Sequence, residues 1–354
     1  MYDTMRAPEF WNRTNIFSQT LLPLSRGFAA VTRRRMAQGG WRAPIPVVCC
    51  GNATVGGAGK TTLTLDLAHR VRARGVAVHI LLRGYRGVAR GPRRVMPNDP
   101  VLLTGDEALL LSEVATTWTG SDRAASARSA IAAGAEFLLM DDGLQNPSLA
   151  KSASLLVIDG VRAFGNRLVF PAGPLRESIS EATSRCLAAV MIGPDVDGVR
   201  DEIRKCVPVL DADLVQSADV APLVGKRAFV FSGIAYPAKF FETLQRSGVE
   251  IVGEESFPDH HVFTTSELIH LEAAARKLDA ALVTTPKDAV RLPKGMSVHV
   301  VGVKLLWKSE VAIEALLDGL ILEQNLYSPT DPGLDQGMSA ANLRSDLDGS
   351  VRSC

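Results

Sequence analysis

Residues 54–62, Thr-Val-Gly-Gly-Ala-Gly-Lys-Thr-Thr, set three glycines directly before a lysine and two threonines. Glycines let successive backbone N–H groups curl around a polyphosphate, and a helix that opens there adds the positive end of its dipole. Lys60 is placed to reach the β- and γ-phosphates, and the Thr61 hydroxyl to hold magnesium. The usual pattern has a glycine five residues before Gly59; here that position is Thr54. A plain turn between a strand and a helix accounts for the glycines but not for the Lys-Thr pair after them. The nucleotide-binding set is therefore Thr54, Val55, Gly56, Gly57, Ala58, Gly59, Lys60, Thr61 and Thr62.

Phosphoryl transfer also needs a metal and a base for the acceptor's proton. Asp141 and Asp142 close the apolar run 137–140, where a carboxylate at a strand end can meet magnesium beside Lys60 and Thr61. The same Asp-Asp-Gly is also a common solvated turn. Asp106, after Gly105, is either a base or the N-cap of the helix that follows, and the residues alone favour the cap. His260 and His261 invite zinc, but adjacent side chains seldom point at one metal and no partner ligands stand at zinc spacing. A single histidine that orients a carboxylate or donates to phosphate fits better. Residues 170–177 form a Pro/Gly loop ending in Arg176 and Glu177, which either simply connects or turns that charge pair toward the phosphates.

These groups need a frame. Apolar runs at 46–50, 76–82, 137–140, 154–159 and 186–192 read as strands, with helices over 60–74, 108–115 and 124–133 between them. Alternation of this kind predicts an α/β fold: a P-loop NTPase-like, mostly parallel sheet with helices on both faces, whose ligands gather at the C-terminal strand ends. A second α/β series starts near residue 225, with strands at 228–231, 249–252, 281–285 and 298–301 and helices over 237–247 and 264–277. Thr264 and Glu267 form a capping-box pattern. The expected units are an N-terminal amphipathic helix within 1–40, a P-loop unit over 41–225, a smaller C-terminal α/β domain over 226–327 and a disordered tail over 328–354.

The bulk composition narrows the classes. The chain has 354 residues, 46% apolar and 22% charged, enough for two buried cores. A net charge of +1 gives no reason to expect nucleic acid. Five cysteines without a CxxC pair read as reduced thiols, with Cys49 and Cys50 in the core. No apolar run is long enough to span a bilayer. Pro23 and the lack of a small-residue cleavage site argue against a signal peptide. Phe17, Leu21, Leu24, Phe28 and Val31 share one helical stripe, with Arg26 and Arg33 opposite and Arg33-Arg34-Arg35 at its end. That composition suits a helix in a membrane interface, although packing against the core is the commoner fate of such a stripe. Pro23 divides it into two short pieces.

Taken in order, the motifs resemble those of the tetraacyldisaccharide 4'-kinases. The matching pieces are Gly51-Asn52 with 54–61, Arg83-Gly84-Tyr85, Gly105-Asp106-Glu107, Asp141-Asp142-Gly143-Leu144-Gln145, 171–177, Phe257-Pro258-Asp259-His260-His261 and 285–291, spanning roughly residues 8 to 305. The resemblance implies transfer of the γ-phosphate of ATP, with Mg2+, to the 4'-hydroxyl of an acylated glucosamine disaccharide 1-phosphate in lipid A synthesis. It implies a peripheral enzyme at the cytoplasmic face of the bacterial inner membrane, touching the bilayer through its N-terminal helix. By motif, Asp106 is the base with His260 as its partner, and Lys60 serves the phosphates. Thr61, Asp141 and Glu177 serve the metal. Asp142, Gln145, Arg176 and Arg83 contact substrate or stabilise charge. The chain departs from the family at Asn146, where His is usual, and at Leu144, where Phe is.

Two rivals compete with this reading. A P-loop GTPase or metal-insertion ATPase of the deviant type carries Lys where this chain has Val55, and a GTPase needs Asn-Lys-x-Asp, to which Pro286-Lys287-Asp288 comes nearest. A membrane-associated nucleotide sensor would bind ATP without acceptor chemistry.

Overall fold

Strands buried on both faces must be apolar throughout, and the first one shows why. In Val47–Gly51 (β1), Val48 and Cys50 pack into one core while Val47 and Cys49 pack into another on the opposite face. The computed structural model describes residues 8–322 apart from 85, 86, 89, 90 and 235. The expected tail and Tyr85 therefore lie outside the described residues.

Two short N-terminal helices, Ile16–Thr20 (α1) and Leu22–Met36 (α2), precede β1, and Lys60–Ala73 (α3) follows it. Next come Val78–Leu82 (β2), Arg93–Arg94 (β3), Val101–Thr104 (α4), Asp106–Ser112 (α5), Thr116–Thr119 (β4), Arg123–Ala132 (α6) and Phe137–Asp141 (β5). Then follow Ala153–Asp159 (β6), Ile179–Ser184 (α7), Ala188–Ile192 (β7), Arg200–Arg204 (α8) and Val209–Gln216 (β8). The second series holds Arg227–Ser232 (β9), Pro237–Arg246 (α9), Glu250–Ser256 (β10), Thr265–Lys277 (α10), Ala281–Thr284 (β11), Pro286–Ala289 (α11) and His299–Val300 (β12). Val303–Trp307 (β13) and Glu310–Leu322 (α12) end the described chain.

The larger sheet has nine strands in the order β13-β8-β7-β6-β1-β5-β2-β4-β3, parallel except at its two outermost pairs. From β1 the chain crosses to β2, and from β5 it crosses back over β1 to β6. The crossovers thus diverge around β1, the place where a doubly wound sheet opens a ligand crevice. Helices α3, α5 and α12 cover one face; α6, α7 and α8 cover the other. The smaller sheet, β10-β9-β11-β12, is parallel throughout, with α9 on one side and α10 on the other.

The sequence reading kept 226–327 together, but β13 leaves the smaller unit and pairs antiparallel with β8, from Val303 opposite Gln216 to Trp307 opposite Ala212. Helix α12 then lays Ile313, Leu316, Leu317 and Leu320 on the larger sheet's core. Arg70 and Arg74 of α3 bind Glu310, Glu314 and Asp318 of α12.

The N-terminal helices break at Leu21, and Pro23 sits in the first turn of α2, where its missing N–H costs no hydrogen bond. They are inside out relative to a core helix. Phe17, Leu24, Phe28 and Val31 face solvent, whereas Ser18 and Ser25 are buried.

Candidate active site

Helix α3 opens at Lys60, with Gly59 as its N-cap in a left-handed conformation, φ 86°. A side chain there would be strained by its backbone and would also strike Ile192. Behind the loop, Asn52 is fully buried and donates to the Thr54 hydroxyl at 3.0 Å and to the Gly56 carbonyl at 3.3 Å. Lys60 folds back so that its Nζ donates to the Gly56 carbonyl at 3.3 Å and stands 3.8 Å from Asp142. The free N–H groups of the first turn and this ammonium form an anion cradle at the strand ends.

Strand β5 brings its carboxylates to the same rim, because β1 and β5 pair with Cys50 opposite Asp141. Thr61 donates to Asp141 at 3.1 Å, and Thr64 donates to its other oxygen at 3.2 Å. Burial, with the charge of Glu107 nearby, lifts Asp141 to about 7 against the pull of Lys60. A buried carboxylate beside a threonine hydroxyl is a hard oxygen pair of the kind magnesium takes, so these residues fit that ion. Asp142 is different. It takes a positive φ of 50°, and Arg176 clamps it through two bonds of 2.7 and 3.1 Å. Burial opposes its charge, but Lys60 and Arg176 win and hold its carboxyl below the usual range.

Glu177 does not join the metal pair. It is buried, accepts from Gln145 at 2.7 Å and is paired with Arg185. Gln145 also donates to the Asn52 carbonyl at 2.9 Å and accepts from Arg176 at 3.2 Å. In this geometry Glu177 orients Gln145, and Gln145 links the phosphate loop to Arg176. Arg83 stands exposed after β2, next to β5 in the sheet.

Asp106 is not a cap. Gly105 is the N-cap, and Asp106 begins α5 with one side-chain oxygen accepting the neighbouring Glu107 N–H, at 2.9 Å. Its other oxygen meets His260 Nδ1 at 2.6 Å, across from the smaller unit. Burial pushes this carboxyl up, but the His260 hydrogen bond and the charges of Lys287 and Arg291 more than reverse that, to about 2. His260 is presented by a positive φ of 61°, and its backbone N–H donates to the Gly233 carbonyl at 3.1 Å. His261 turns away to Glu267, at 3.0 Å.

The family model for tetraacyldisaccharide-1-P 4'-kinases matches residues 17–322. The chain belongs to that family. A tetraacyldisaccharide 4'-kinase of Gluconacetobacter diazotrophicus is 48% identical over 319 residues, covering 89% of this chain and 98% of the relative. One of Gluconobacter oxydans is 46% identical over 320 residues, with 89% and 98% covered. Among solved structures, LpxK from Aquifex aeolicus, crystallised in complex with ATP, superposes with a TM-score of 0.69 at 23% identity, over 87% of this chain and 99% of that one. That likeness bears on the fold.

Within this 4'-kinase frame, three cations had drawn no role from sequence. Arg291 is buried and contacts Asp106 at 3.3 Å and Asp288 at 3.3 Å. Asp288, wholly buried, accepts from Gly233 N–H, Ser232 and Thr285 at 2.9, 2.9 and 2.6 Å. The 285–291 motif thus anchors the backbone that presents His260. Lys287 pairs with Glu107 at 3.4 Å across the same seam. Arg123, buried at the start of α6, donates to the Gly120 carbonyl; burial lowers its guanidinium to about 10 against the pull of Cys49, Asp142 and Asp141. Lys287 and Arg291 were signalled by the 285–291 motif, whereas Arg123 offered only a charged residue next to an apolar run, which surface helices also show.

Proposed function

We propose that this chain is the ATP-dependent kinase that moves the γ-phosphate of ATP to the 4'-hydroxyl of a tetraacyldisaccharide 1-phosphate in lipid A synthesis. One observation carries the reading. A carboxylate–histidine pair, Asp106 with His260, joins the two units beside a phosphate cradle built from Lys60, Thr61 and Asp141. A nucleotide sensor needs the cradle but has no use for the pair. The GTPase reading lacks its guanine motif.

In this reading residues 54–62 and Lys60 bind the triphosphate. Thr61 and Asp141 would hold magnesium, which would supply positive charge at the phosphates. Arg176, locked in place by Asp142 and Gln145, faces the charge that builds on the transferred group, with Arg83 at the rim. Asp106 takes the acceptor's proton. A carboxylate near 2 is a poor base toward a free alcohol. In a loose transition state, however, the alcohol surrenders its proton late, when it has become acidic, so orientation counts for more than basicity. His260 supplies that orientation and shares the proton.

We take the outward apolar stripe of α1–α2 and the arginines at its end as a contact with anionic membrane. The enzyme is then peripheral, at the cytoplasmic face of the inner membrane, and draws its acylated substrate from the bilayer edge. Residues 41–225 with the returning 303–322 make the P-loop unit, and the stretch between them the smaller one. The deciding experiment is incubation with labelled ATP and a panel of acylated disaccharide phosphates, with mass spectrometry of the lipid. A product heavier by one phosphate at the 4'-position supports the proposal; ATP binding with no phosphorylated lipid sinks it.

A further inference from the structure

Ser25 breaks the pattern of its helix. Helix α2 turns apolar side chains outward, yet this hydroxyl is 4% exposed. It donates to the Val169 carbonyl at 2.7 Å and accepts from the Ala172 N–H at 3.1 Å. Earlier in the chain, Trp11 donates its indole N–H to the Pro171 carbonyl at 3.1 Å. Asn166 donates to the Phe10 carbonyl at 2.8 Å, and its N–H to the Trp11 carbonyl at 2.6 Å. The gripped segment, residues 166–175, runs straight onto the phosphate loop. There the Val55 N–H donates to the Pro174 carbonyl at 2.7 Å, and the Arg176 N–H to the Ala53 carbonyl at 2.6 Å. Thr54 and Leu175 pair as an antiparallel bridge between them. Arg176, next in line, clamps Asp142.

We propose that Ser25 and Trp11 are positioning residues for phosphoryl transfer. They seat the N-terminal helices on the 166–175 strut, and the strut sets the Ala53–Val55 backbone and the Arg176 guanidinium. The proposal rests on the kinase reading and adds to it: the helices that face the membrane also act at the phosphates. Within the strut the turn 171–174 is Pro-Ala-Gly-Pro, with no polar side chain of its own; Asn166 holds it from inside at the Ala172 carbonyl, 2.9 Å, and Ser25 and Trp11 hold it from the N-terminal helices. Without the two donors its register against residues 53–55 loosens, and displacement of about 1 Å in a transfer site can cost about a hundredfold in rate.

Ser25→Ala and Trp11→Phe each remove a donor and leave the outward apolar stripe intact. Each is expected to keep vesicle binding near wild type and to lower kcat by about tenfold or more. Amide hydrogen exchange at Val55 and Arg176 should quicken while that of β1 stays unchanged. In an Arg176→Ala background, Ser25→Ala should cost clearly less than it does alone, because one of the two groups it positions is gone. Full multiplication of the two losses, or unchanged exchange at Val55 and Arg176 in both variants, overturns the proposal. If Ser25→Ala does not fold, Trp11→Phe decides by the same exchange and double-mutant measurements. Failure of the wild type to phosphorylate any disaccharide removes the kinase reading, whereas the exchange measurement still decides the strut.

Discussion

At the scale of single residues, Asp106 carries opposed demands. As the proposed base it must stay charged to receive a proton, yet it sits buried, and the structure meets this with His260 and Arg291 at 2.6 and 3.3 Å. Asp106→Asn keeps the shape and removes the proton acceptor. Transfer should fall by a factor on the order of 10² or more while the ATP–magnesium Kd stays near wild type; unchanged turnover would remove Asp106 from the role of base. The same group makes a stability prediction. Its folded pKa, about 2, lies below the ordinary 3.8, so its stabilising contribution is complete above pH 5 and drains away as pH falls toward 2. Asp106→Asn should therefore cost about 2 kcal/mol at neutral pH, and the gap from wild type should shrink below pH 4, read by urea denaturation at several pH values. Lys60 is a simpler case. Its ammonium is the cation folded into the phosphate loop, so Lys60→Ala should abolish measurable turnover with the fold retained by circular dichroism.

At the scale of elements, what was legible in sequence followed burial. Strands β1, β5, β6 and β7 are buried almost throughout and mostly apolar because helices cover both faces, and they read as strands at once. Strand β8 was missed because Asp211 and Asp213 interrupt it and its second half is only partly buried, and β13 because Lys304 and Leu306 stay exposed at the sheet edge. Asp106 reads as a cap because a cap and a base differ only in where the side chain points, and Gly105 takes the cap position itself. The N-terminal stripe was legible as amphipathic, but its direction was not, since the same periodicity serves core and membrane. Its outward face makes a prediction. Leu24→Gln with Val31→Gln leaves Ser25 and Trp11 untouched and removes two exposed apolar side chains from the stripe. Binding to anionic vesicles should weaken by about tenfold or more, while turnover on a detergent-dispersed acceptor stays near wild type. Equal vesicle binding by both proteins would assign the stripe to something other than a bilayer.

At the scale of the whole molecule, the site is a seam between two sheets, and here sequence order misleads most. Asp106 and His260 lie far apart in the chain, and only the docking of the smaller unit onto the end of the larger sheet makes them neighbours. Lys287 and Arg291 both cross that seam beside Asp106 and Glu107, and they should differ sharply. Lys287 reaches Glu107 at 3.4 Å with both side chains partly in water, the kind of pair worth under about 1 kcal/mol. The Arg291 side chain is buried between two buried carboxylates, Asp288 and Asp106, and removing it takes from both the cation they share. Lys287→Met should therefore leave the denaturation midpoint nearly unchanged. Arg291→Met should cost about 3 kcal/mol or more and lower kcat as well, because the backbone that presents His260 loses its bonds from Arg291 to the Gly233 and His261 carbonyls. The ATP Kd should hold in both variants, since the phosphate cradle belongs wholly to the larger sheet. If Arg291→Met proved as stable and as active as Lys287→Met, the two sheets would be held in register by their apolar packing alone, and the buried ion cluster would lose its part in bringing His260 to Asp106.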